Sequence, residues 1–517
     1  MFRALVSRMS LWQAASAVSP RSECVAAGAR VAARQAAIGR ATTRQMATKA
    51  SAAASEGDQQ MRAAMKIWRD ANADIVPQLH AAAAAYEREH APPGKAIQAR
   101  AYAALWLAQH RDFQQSIQLY EQCVRDADQL APDDVTLRGK LYQQFGVAAN
   151  QAGRFDLALA TLQKALPMLA HADQAGRAMV NLTIGSLLSI TRRSDAANYA
   201  ASARHLADAA RLYEEAKNVD MQVKTTVLLA REHAAARHLD RSNAAWDDVL
   251  QLCEPITPTP VEEWEAYFGL GENYAQMGDA HLKLALSSFR DALSSAESLN
   301  NAQLMHVTRL TLARLLLHTN ETKEALLLTK KAVSVAADKT SQLQAQLQLG
   351  QIQELTDAPA AKNTFEEARA AAATAGLAAE ELRALNAIAG WHARHDSPEM
   401  ATQFYKQLLR KASAAGDRSL KASVMLELGL LQTKLQDVDG AVEAFEQAVA
   451  TFESMAGAEL QLLHAYTHLA AALRTRSDNT KADEMFARAV SLARVLNERG
   501  LLDGVAPELL AAINQKQ

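Results

Sequence analysis

Residues 141–169, which read LYQQFGVAANQAGRFDLALATLQKALPML, contain the pattern that decides the fold. In the first half, Tyr142 and Phe145 recur at a helical interval, so they share one face of a helix. The second half repeats this periodicity after an Ala-Gly-Arg turn. Gly146 and Ala158 are small enough to let two helices approach closely, which larger side chains would prevent. The stretch therefore predicts a pair of antiparallel helices.

The second half of this pair contains a triplet motif that recurs along the chain. The triplet is a small residue, a bulky residue four positions later, and a small residue three positions after that. The middle residues of ten such triplets lie 42, 51, 33, 43, 40, 36, 40, 40 and 41 positions apart. The interval of 51 predicts an insertion near 192–201, either a surface loop or a longer helix. The ten triplets are Ser116/Tyr120/Cys123, Ala158/Leu162/Ala165, Ala209/Tyr213/Ala216, Ser242/Trp246/Val249, Ala285/Phe289/Ala292, Ala325/Thr329/Ala332, Ala361/Phe365/Ala368, Ala401/Tyr405/Leu408, Ala441/Phe445/Ala448 and Ala482/Phe486/Ala489.

The first helix of each unit has its own mark, an apolar residue followed by glycine or alanine. Recurrence of both marks at a near-constant spacing predicts an all-α chain of about ten antiparallel helix pairs. After the opening stretch, the first-helix marks are Ile184–Gly185, Leu229–Ala230, Leu270–Gly271, Leu312–Ala313, Leu349–Gly350, Ile388–Ala389, Leu428–Gly429 and Leu469–Ala470.

These motifs resemble the tetratricopeptide repeat (TPR), in which aromatic-x-x-Leu-Gly on the first helix precedes Ala-x-x-x-aromatic-x-x-Ala and proline on the second. Tyr142, Gly146 and Pro167 match that pattern, and Leu162 stands where the family prefers an aromatic residue. The long spacing is similar to the extended repeats of kinesin light chains and cell-polarity adaptors. Over 96–497, the resemblance implies a right-handed α-solenoid whose first helices line a concave groove for a partner.

The composition supports a helical chain, and the charge differs between the first 55 residues and the remainder. Helix-forming residues dominate, and the 517 residues include only 12 prolines and 21 glycines. Residues 1–55 hold eight basic residues and one acid, Glu23, for a net charge of +7, and subtraction from the total gives −2 − 7 = −9 for the remainder. An acidic body argues against a nucleic-acid partner, because binding to a phosphate backbone needs a basic surface.

The segment 1–55 has the composition of a mitochondrial presequence. Phe2 and Met9 share one helical face with other apolar residues, while arginine and serine lie on the opposite face. Cleavage is expected between Arg44 and Ser55. This pattern predicts a mitochondrial protein of the matrix, and the alternative is an alanine-rich tail with no targeting role.

Four segments follow from these patterns: the leader 1–55, an N-terminal helical cap 56–95, the repeat array 96–497 and a C-terminal capping helix 498–517. The proline-rich stretch 255–260 keeps the repeat register and is interpreted as a stiff loop between repeats. No uncharged apolar run is long enough to span a bilayer. Three cysteines are too few for a disulfide framework or a cysteine-rich zinc site.

Known catalytic motifs are missing from the sequence. It has no His-Glu-x-x-His, glycine-rich phosphate loop, Cys-x-x-Cys pair or nucleophile elbow. His392 and His395 are three residues apart and could face one metal, but no third ligand lies near them in the sequence. We therefore expect no enzymatic activity, no cofactor and no metal site.

The expected function resides in the concave groove. Residues one position beyond the Gly/Ala mark, or one turn earlier, should face it, and Glu265 and Glu272 should form one acidic patch there. Several inward Arg and Lys residues on an acidic protein suggest an acidic or carboxylate-bearing peptide partner, and ordinary solvated helix faces are the alternative. A chaperone-tail clamp would need Asn directly after the glycine, where this chain has Val147 and Ser186. The groove candidates are Lys140, Gln143, Asn150, Lys224, Arg231, Arg314, Arg383, Asn386 and Arg474.

The leading hypothesis is a non-enzymatic interaction scaffold or assembly factor in mitochondria. One alternative is an organellar RNA-binding helical-repeat protein, although such proteins have basic concave faces and a shorter period. A second alternative is a cytosolic motor or polarity adaptor.

Overall fold

The computed structural model describes residues 55–68, 74–169, 173–191, 196–257, 260–395 and 397–498, and these residues form 22 α-helices and no strand. The all-α fold predicted from the sequence is confirmed. The chain divides into two compact units between residues 299 and 300, and each unit is described by itself.

The first unit begins with a helical hairpin, α1 and α2, and continues with five helix pairs. A short 3₁₀ turn, Asp279–His281, precedes its last helix. Its helices are α1 (Glu56–Ile67), α2 (Val76–Arg88), α3 (Pro93–Gln109), α4 (Phe113–Leu130), α5 (Val135–Gln151), α6 (Phe155–Met168), α7 (Gln174–Thr191), α8 (Ala196–Glu215), α9 (Val219–Ala235), α10 (Leu239–Cys253), α11 (Val261–Gln276) and α12 (Leu282–Ser298).

The second unit consists of five further pairs. In both units each helix packs against the next one along the chain, and a layer of alanine, leucine and aromatic residues is buried between them. Its helices are α13 (Ala302–His318), α14 (Thr322–Val335), α15 (Lys339–Gln353), α16 (Ala358–Thr374), α17 (Ala378–Arg394), α18 (Pro398–Ala414), α19 (Arg418–Lys434), α20 (Val438–Glu453), α21 (Glu459–Thr475) and α22 (Asn479–Glu498).

Tight turns separate the two helices of a pair. Gly153, between α5 and α6, has a φ of +74°, and a Cβ added there would meet nothing within 4 Å. The glycine is thus needed for its backbone conformation, since left-handed φ values strain other residues. Between α3 and α4 the same role falls to Arg111 (φ 65°), and Asp112 then caps α4 by accepting a hydrogen bond from the Gln115 N–H.

The small residues of the motif lie where two helices of a pair touch. A Cβ added to Gly146 would lie 2.5 Å from Cγ of Leu162, and one added to Gly429 would lie 2.6 Å from Cε1 of Phe445. The bulky residue of the second helix therefore packs directly on the backbone of the first helix. Close-packed interiors leave no room for another methyl group at such a contact.

The third triplet predicted from the sequence is wrong. Gly185 on α7 faces Leu206 on α8, and the Ser202 hydroxyl donates a hydrogen bond to the Gly185 carbonyl at 2.9 Å. The correct triplet is therefore Ser202/Leu206/Ala209, whereas Ala216 is exposed. Subtracting residue numbers, the intervals around Leu206 become 44 and 40 in place of 51 and 33. With these intervals the spacing no longer predicts an insertion, and α7 and α8 have 18 and 20 residues.

The first described helix has a capping side chain. Ser55 caps α1, and its hydroxyl accepts a hydrogen bond from the Asp58 N–H at 3.2 Å. The α1–α2 hairpin is held by Tyr86, whose hydroxyl donates to Asp58 at 2.8 Å. The leader up to residue 54 and the capping helix predicted beyond Glu498 lie outside the described residues.

Candidate partner-binding surface

In each unit, successive first helices contact one another as well as their own second helices. In the first unit, α3, α5, α7, α9 and α11 thus form a continuous layer, and we call its solvent-facing side the first-helix face. In the second unit, α13, α15 and α17 and then α19 and α21 are arranged in the same way. The candidate residues all lie on first helices. The first unit contains Lys140, Gln143, Asn150, Lys224 and Arg231, and the second unit contains Arg314, Arg383, Asn386 and Arg474.

Helix α5 brings three candidates together. Lys140 is exposed, and Gln143 and Asn150 are half-buried along the same helix. The amide of Gln143 reaches the neighbouring first helix, where its Nε2 lies 3.7 Å from Sδ of Met179 on α7. Lys140 makes no ion pair with any described residue, so its ammonium group is available to a ligand.

Helix α7 is a part of the first-helix face that the sequence reasoning missed. Its only charged residue is Arg177. Met179 is half-buried and Ile190 is 37% exposed, so apolar side chains reach the surface here. Ser186 is also half-buried, and its hydroxyl is satisfied by the Leu182 carbonyl at 2.8 Å. The signal in the sequence is the low charge of this helix, which a pattern of charged residues does not reveal.

The basic candidates on α9 are neutralised within the chain. Lys224 pairs with Asp220 at 2.7 Å, one turn earlier on the same helix. Arg231 pairs with Glu265 on α11 at 3.2 Å, and Glu265 is therefore part of a mixed pair and not of an acidic patch. Both residues lie on the predicted first helix, but their charges already have partners.

The second unit shows the same pairing. Arg383 pairs with Glu380 on its own helix at 3.2 Å. Arg474 points toward α22, where it pairs with Asp483 at 3.2 Å and lies 5.3 Å from the centre of the Phe486 ring. Arg314 is exposed and engaged with other groups, and Asn386 is half-buried. Arg474 is thus a contact between the helices of its own pair.

Two histidines considered as metal ligands serve packing instead. The His395 ring stacks on Trp391 with centroids 4.9 Å apart, and its Nε2 lies 3.1 Å from a Glu354 oxygen. The His392 ring is buried and stacks on Phe404. Burial lowers the pKa of His392, and the positive charge of Lys362 lowers it further. The two imidazoles both pack on Trp391, His392 edge-on with centroids 5.0 Å apart and His395 by stacking.

No group of three or more metal-ligating side chains occurs among the described residues, and none of their helices could cross a membrane. Cys123 and Cys253 are buried and unpaired. Burial raises the pKa of each thiol to about 12, so neither is a ready nucleophile. The absence of enzymatic activity, cofactor and metal stays a prediction.

The helix pairs share a repeated contact between a small residue on one helix and a bulky residue on the next. It occurs with Leu162, Leu206, Phe289, Phe365 and Phe445 in five pairs that have glycine on the first helix. Each unit is thus built from antiparallel helix pairs packed in the TPR-like manner that the sequence pattern implied.

The chain is similar to several solved structures at low sequence identity. No protein-family profile and no curated protein matches the chain. Aspartyl phosphate phosphatase F from Bacillus subtilis is 13% identical, with 77% of this chain and 94% of that chain covered and a TM-score of 0.42. The quorum sensor NprR from B. thuringiensis is 13% identical, with 68% and 99% covered and a TM-score of 0.41. A Podosopora anserina protein with TPR-like repeats is 18% identical, with 38% and 97% covered and a TM-score of 0.33.

Proposed function

We propose that the protein is a non-enzymatic scaffold or assembly factor that holds a partner protein or peptide on the first-helix face of α5 and α7. The observation that supports this proposal is the chemistry of that face. It combines a free ammonium group, half-buried amides and partly exposed apolar side chains. These are the groups that peptide recognition requires, and they lie on helices fixed by a packed solenoid.

Each group has a distinct role in this proposal. The side-chain amides of Gln143 and Asn150 both donate and accept hydrogen bonds, so they suit the N–H and C=O groups of an extended main chain. Met179 is flexible and apolar, and together with Ile190 it offers a surface for an apolar side chain of the partner. Lys140 supplies a positive charge for a carboxylate.

The preference for an acidic partner therefore rests on Lys140 in the first unit. Lys224 and Arg231 could take a carboxylate only by leaving Asp220 and Glu265, which would then lose their partners. Exchanging one ion pair for another at an exposed site gains little free energy. We propose a peptide with one carboxylate and otherwise neutral side chains, in place of a strongly acidic segment.

Affinity purification with matched variants tests the site. In Gln143→Arg/Asn150→Arg, two bulky cations replace the amides of the first-helix face. The control Gln163→Arg changes an exposed residue of α6, on the second helix of the same pair. The protein recovered in stoichiometric amount with the wild type should fall at least about tenfold with the double variant and persist with the control. Equal recovery with both variants, or no stoichiometric partner with the wild type, would rule out this site.

We also propose a mitochondrial location, in the matrix, which is supported by the charge and periodicity of the leader 1–55. A fluorescent reporter fused to this segment should enter mitochondria and be shortened there. A variant of the segment with Arg3, Arg8 and Arg21 changed to glutamate should leave the reporter in the cytosol, because presequence recognition depends on a basic helix. A reporter that stays cytosolic with the natural leader would favour the cytosolic adaptor.

A further inference from the structure

Three helices of the second unit meet at Phe445. Its ring comes from α20, lies against the backbone of Gly429 on α19, and stacks on the His468 imidazole of α21 with centroids 5.9 Å apart and planes 20° apart. Phe445 is 1% exposed. His468 therefore holds α21 to the preceding pair through a ring-to-ring contact at the edge of the core.

A second imidazole lies one turn away on the same helix. His464 and His468 are four residues apart, so they share one face of α21. On α19, Leu426 and Leu430 are half-buried and pack against the same core. Neither imidazole forms a hydrogen bond with a described residue. Protonation would add N–H donors and a positive charge to a site with no acceptor for them.

The charged groups around the two imidazoles do not compensate for this. Burial lowers the pKa of both histidines, and His464 lowers the pKa of His468 further, because two neighbouring positive charges repel. No carboxylate acts on the pKa of either ring. The charged side chains of α21 are Glu459 and Arg474. The neighbouring helices hold Arg418, Lys421, Glu427 and Lys434 on α19, Asp439, Glu443, Glu446 and Glu453 on α20, and Lys481, Asp483, Glu484, Arg488, Arg494 and Glu498 on α22.

Two of these groups also have other partners. Arg474 pairs with Asp483, and Arg488 pairs with Glu453 and Glu484. Glu427 and Glu446 are exposed. The imidazoles are thus held in the neutral form by apolar packing and by each other.

We propose that α21–α22, the last helix pair of the second unit among the described residues, is released by acid. Protonation of His464 and His468 loosens α21 from α19 and α20 before the other helices of the unit open. The basis is the stacking of His468 on Phe445 and the position of His464 one turn away on the same face of α21. These helices belong to the second unit, whereas α5 and α7 belong to the first, so the proposal does not depend on the proposed partner site.

The sign of the effect follows from linkage. A histidine whose pKa is lowered in the folded protein leaves stability unchanged above its ordinary pKa of 6.5 and lowers stability as the pH falls below that value. At pH 5.5, each imidazole that takes up its proton only after opening raises the opened fraction by about tenfold, and both together raise it by about a hundredfold.

Hydrogen exchange of the full chain, followed by mass spectrometry at pH 7.5 and 5.5, tests the proposal. After correction for intrinsic rates, the opened fraction of α21–α22 should rise between about ten- and a hundredfold at pH 5.5. His464→Gln/His468→Gln should abolish this rise, and the matched control His80→Gln, at an exposed position of α2, should keep it. Unchanged protection in the wild type, or a full rise in the double variant, would overturn the proposal.

A second variant keeps the test decisive if the double variant does not fold. His468→Phe retains an aromatic ring on Phe445 and cannot be protonated. It should reduce the rise to about tenfold, the share left to His464. A rise in this variant as large as in the wild type would assign the acid response to another group and overturn the role of His468.

Discussion

The contact between Gly429 and Phe445 gives the sharpest prediction about the fold. In Gly429→Ala the new methyl carbon would lie 2.6, 2.7 and 2.9 Å from three carbons of the Phe445 ring. Carbon atoms attract best at about 3.5–4.0 Å, so the ring must move. It is buried between α19, α20 and α21, and its movement would displace those helices.

Two free-energy terms oppose each other in this variant. Alanine in a helix interior is favoured over glycine by about 1 kcal/mol. Overpacking a core costs about 1–3 kcal/mol, and a fully buried ring with no free space lies toward the upper end. We expect Gly429→Ala to lower the local free energy of opening by about 1–2 kcal/mol net. Gly429→Leu should lower it more.

Native-state hydrogen exchange of α19 and α20 measures this loss, because it reports local opening in a repeat protein. Gly390→Ala is the matched control, since its methyl group meets only the end of the Arg394 side chain, at 3.0 Å. Phe445→Ala should cost about 3–5 kcal/mol, and the double variant should cost less than the sum, because the clash is gone. Unchanged or increased protection in Gly429→Ala, or strict additivity, would refute the packing argument.

Three further predictions concern the other contacts. Ser202→Ala should lower the opening free energy of α7–α8 by about 1 kcal/mol, because it removes the hydrogen bond to Gly185. Ala216→Ser should change the opening free energy measured by hydrogen exchange by less than about 0.5 kcal/mol. A larger effect of Ala216→Ser than of Ser202→Ala would favour the triplet Ala209/Tyr213/Ala216. Glu354→Gln should lower the free energy of unfolding by about 1–3 kcal/mol, because the Glu354 carboxylate accepts hydrogen bonds from Arg394 at 2.6 and 2.8 Å. An unchanged midpoint of thermal or urea unfolding would contradict this prediction. Cys123 and Cys253 should react with iodoacetamide on the order of a hundredfold more slowly in the native protein than in urea, and equal rates would show that the thiols are accessible.

The sequence predicted the helix pairs well, because one contact repeats with little change. Phe365 and Phe445 are aromatic residues between small ones, and each packs on a glycine as the pattern requires. The error at Tyr213 has a physical cause. Two overlapping triplets share Ala209, and the aromatic one matches the motif better. The fold uses Leu206, because the backbone of Gly185 lies opposite that position.

The candidate surface was harder to predict from the sequence. Position in the repeat placed Arg231 and Arg474 on first helices correctly. It did not show that Arg231 would reach Glu265 on the next first helix, or that Arg474 would turn toward α22. Such pairs depend on distances between helices that are far apart in sequence. The neutral face of α7 was missed for the same reason, since an uncharged helix gains meaning only beside its neighbours.

Site-specific photo-crosslinking in intact mitochondria tests the central claim most directly. A photoreactive phenylalanine derivative replaces Lys140 or Asn150 on the first-helix face, or Gln163 on the exposed side of α6. Positions 140 and 150 should each give a crosslinked adduct with the partner of one discrete mass, and position 163 should give none. Adducts of equal yield from all three positions, or an adduct from position 163 alone, would contradict a partner held on the first-helix face.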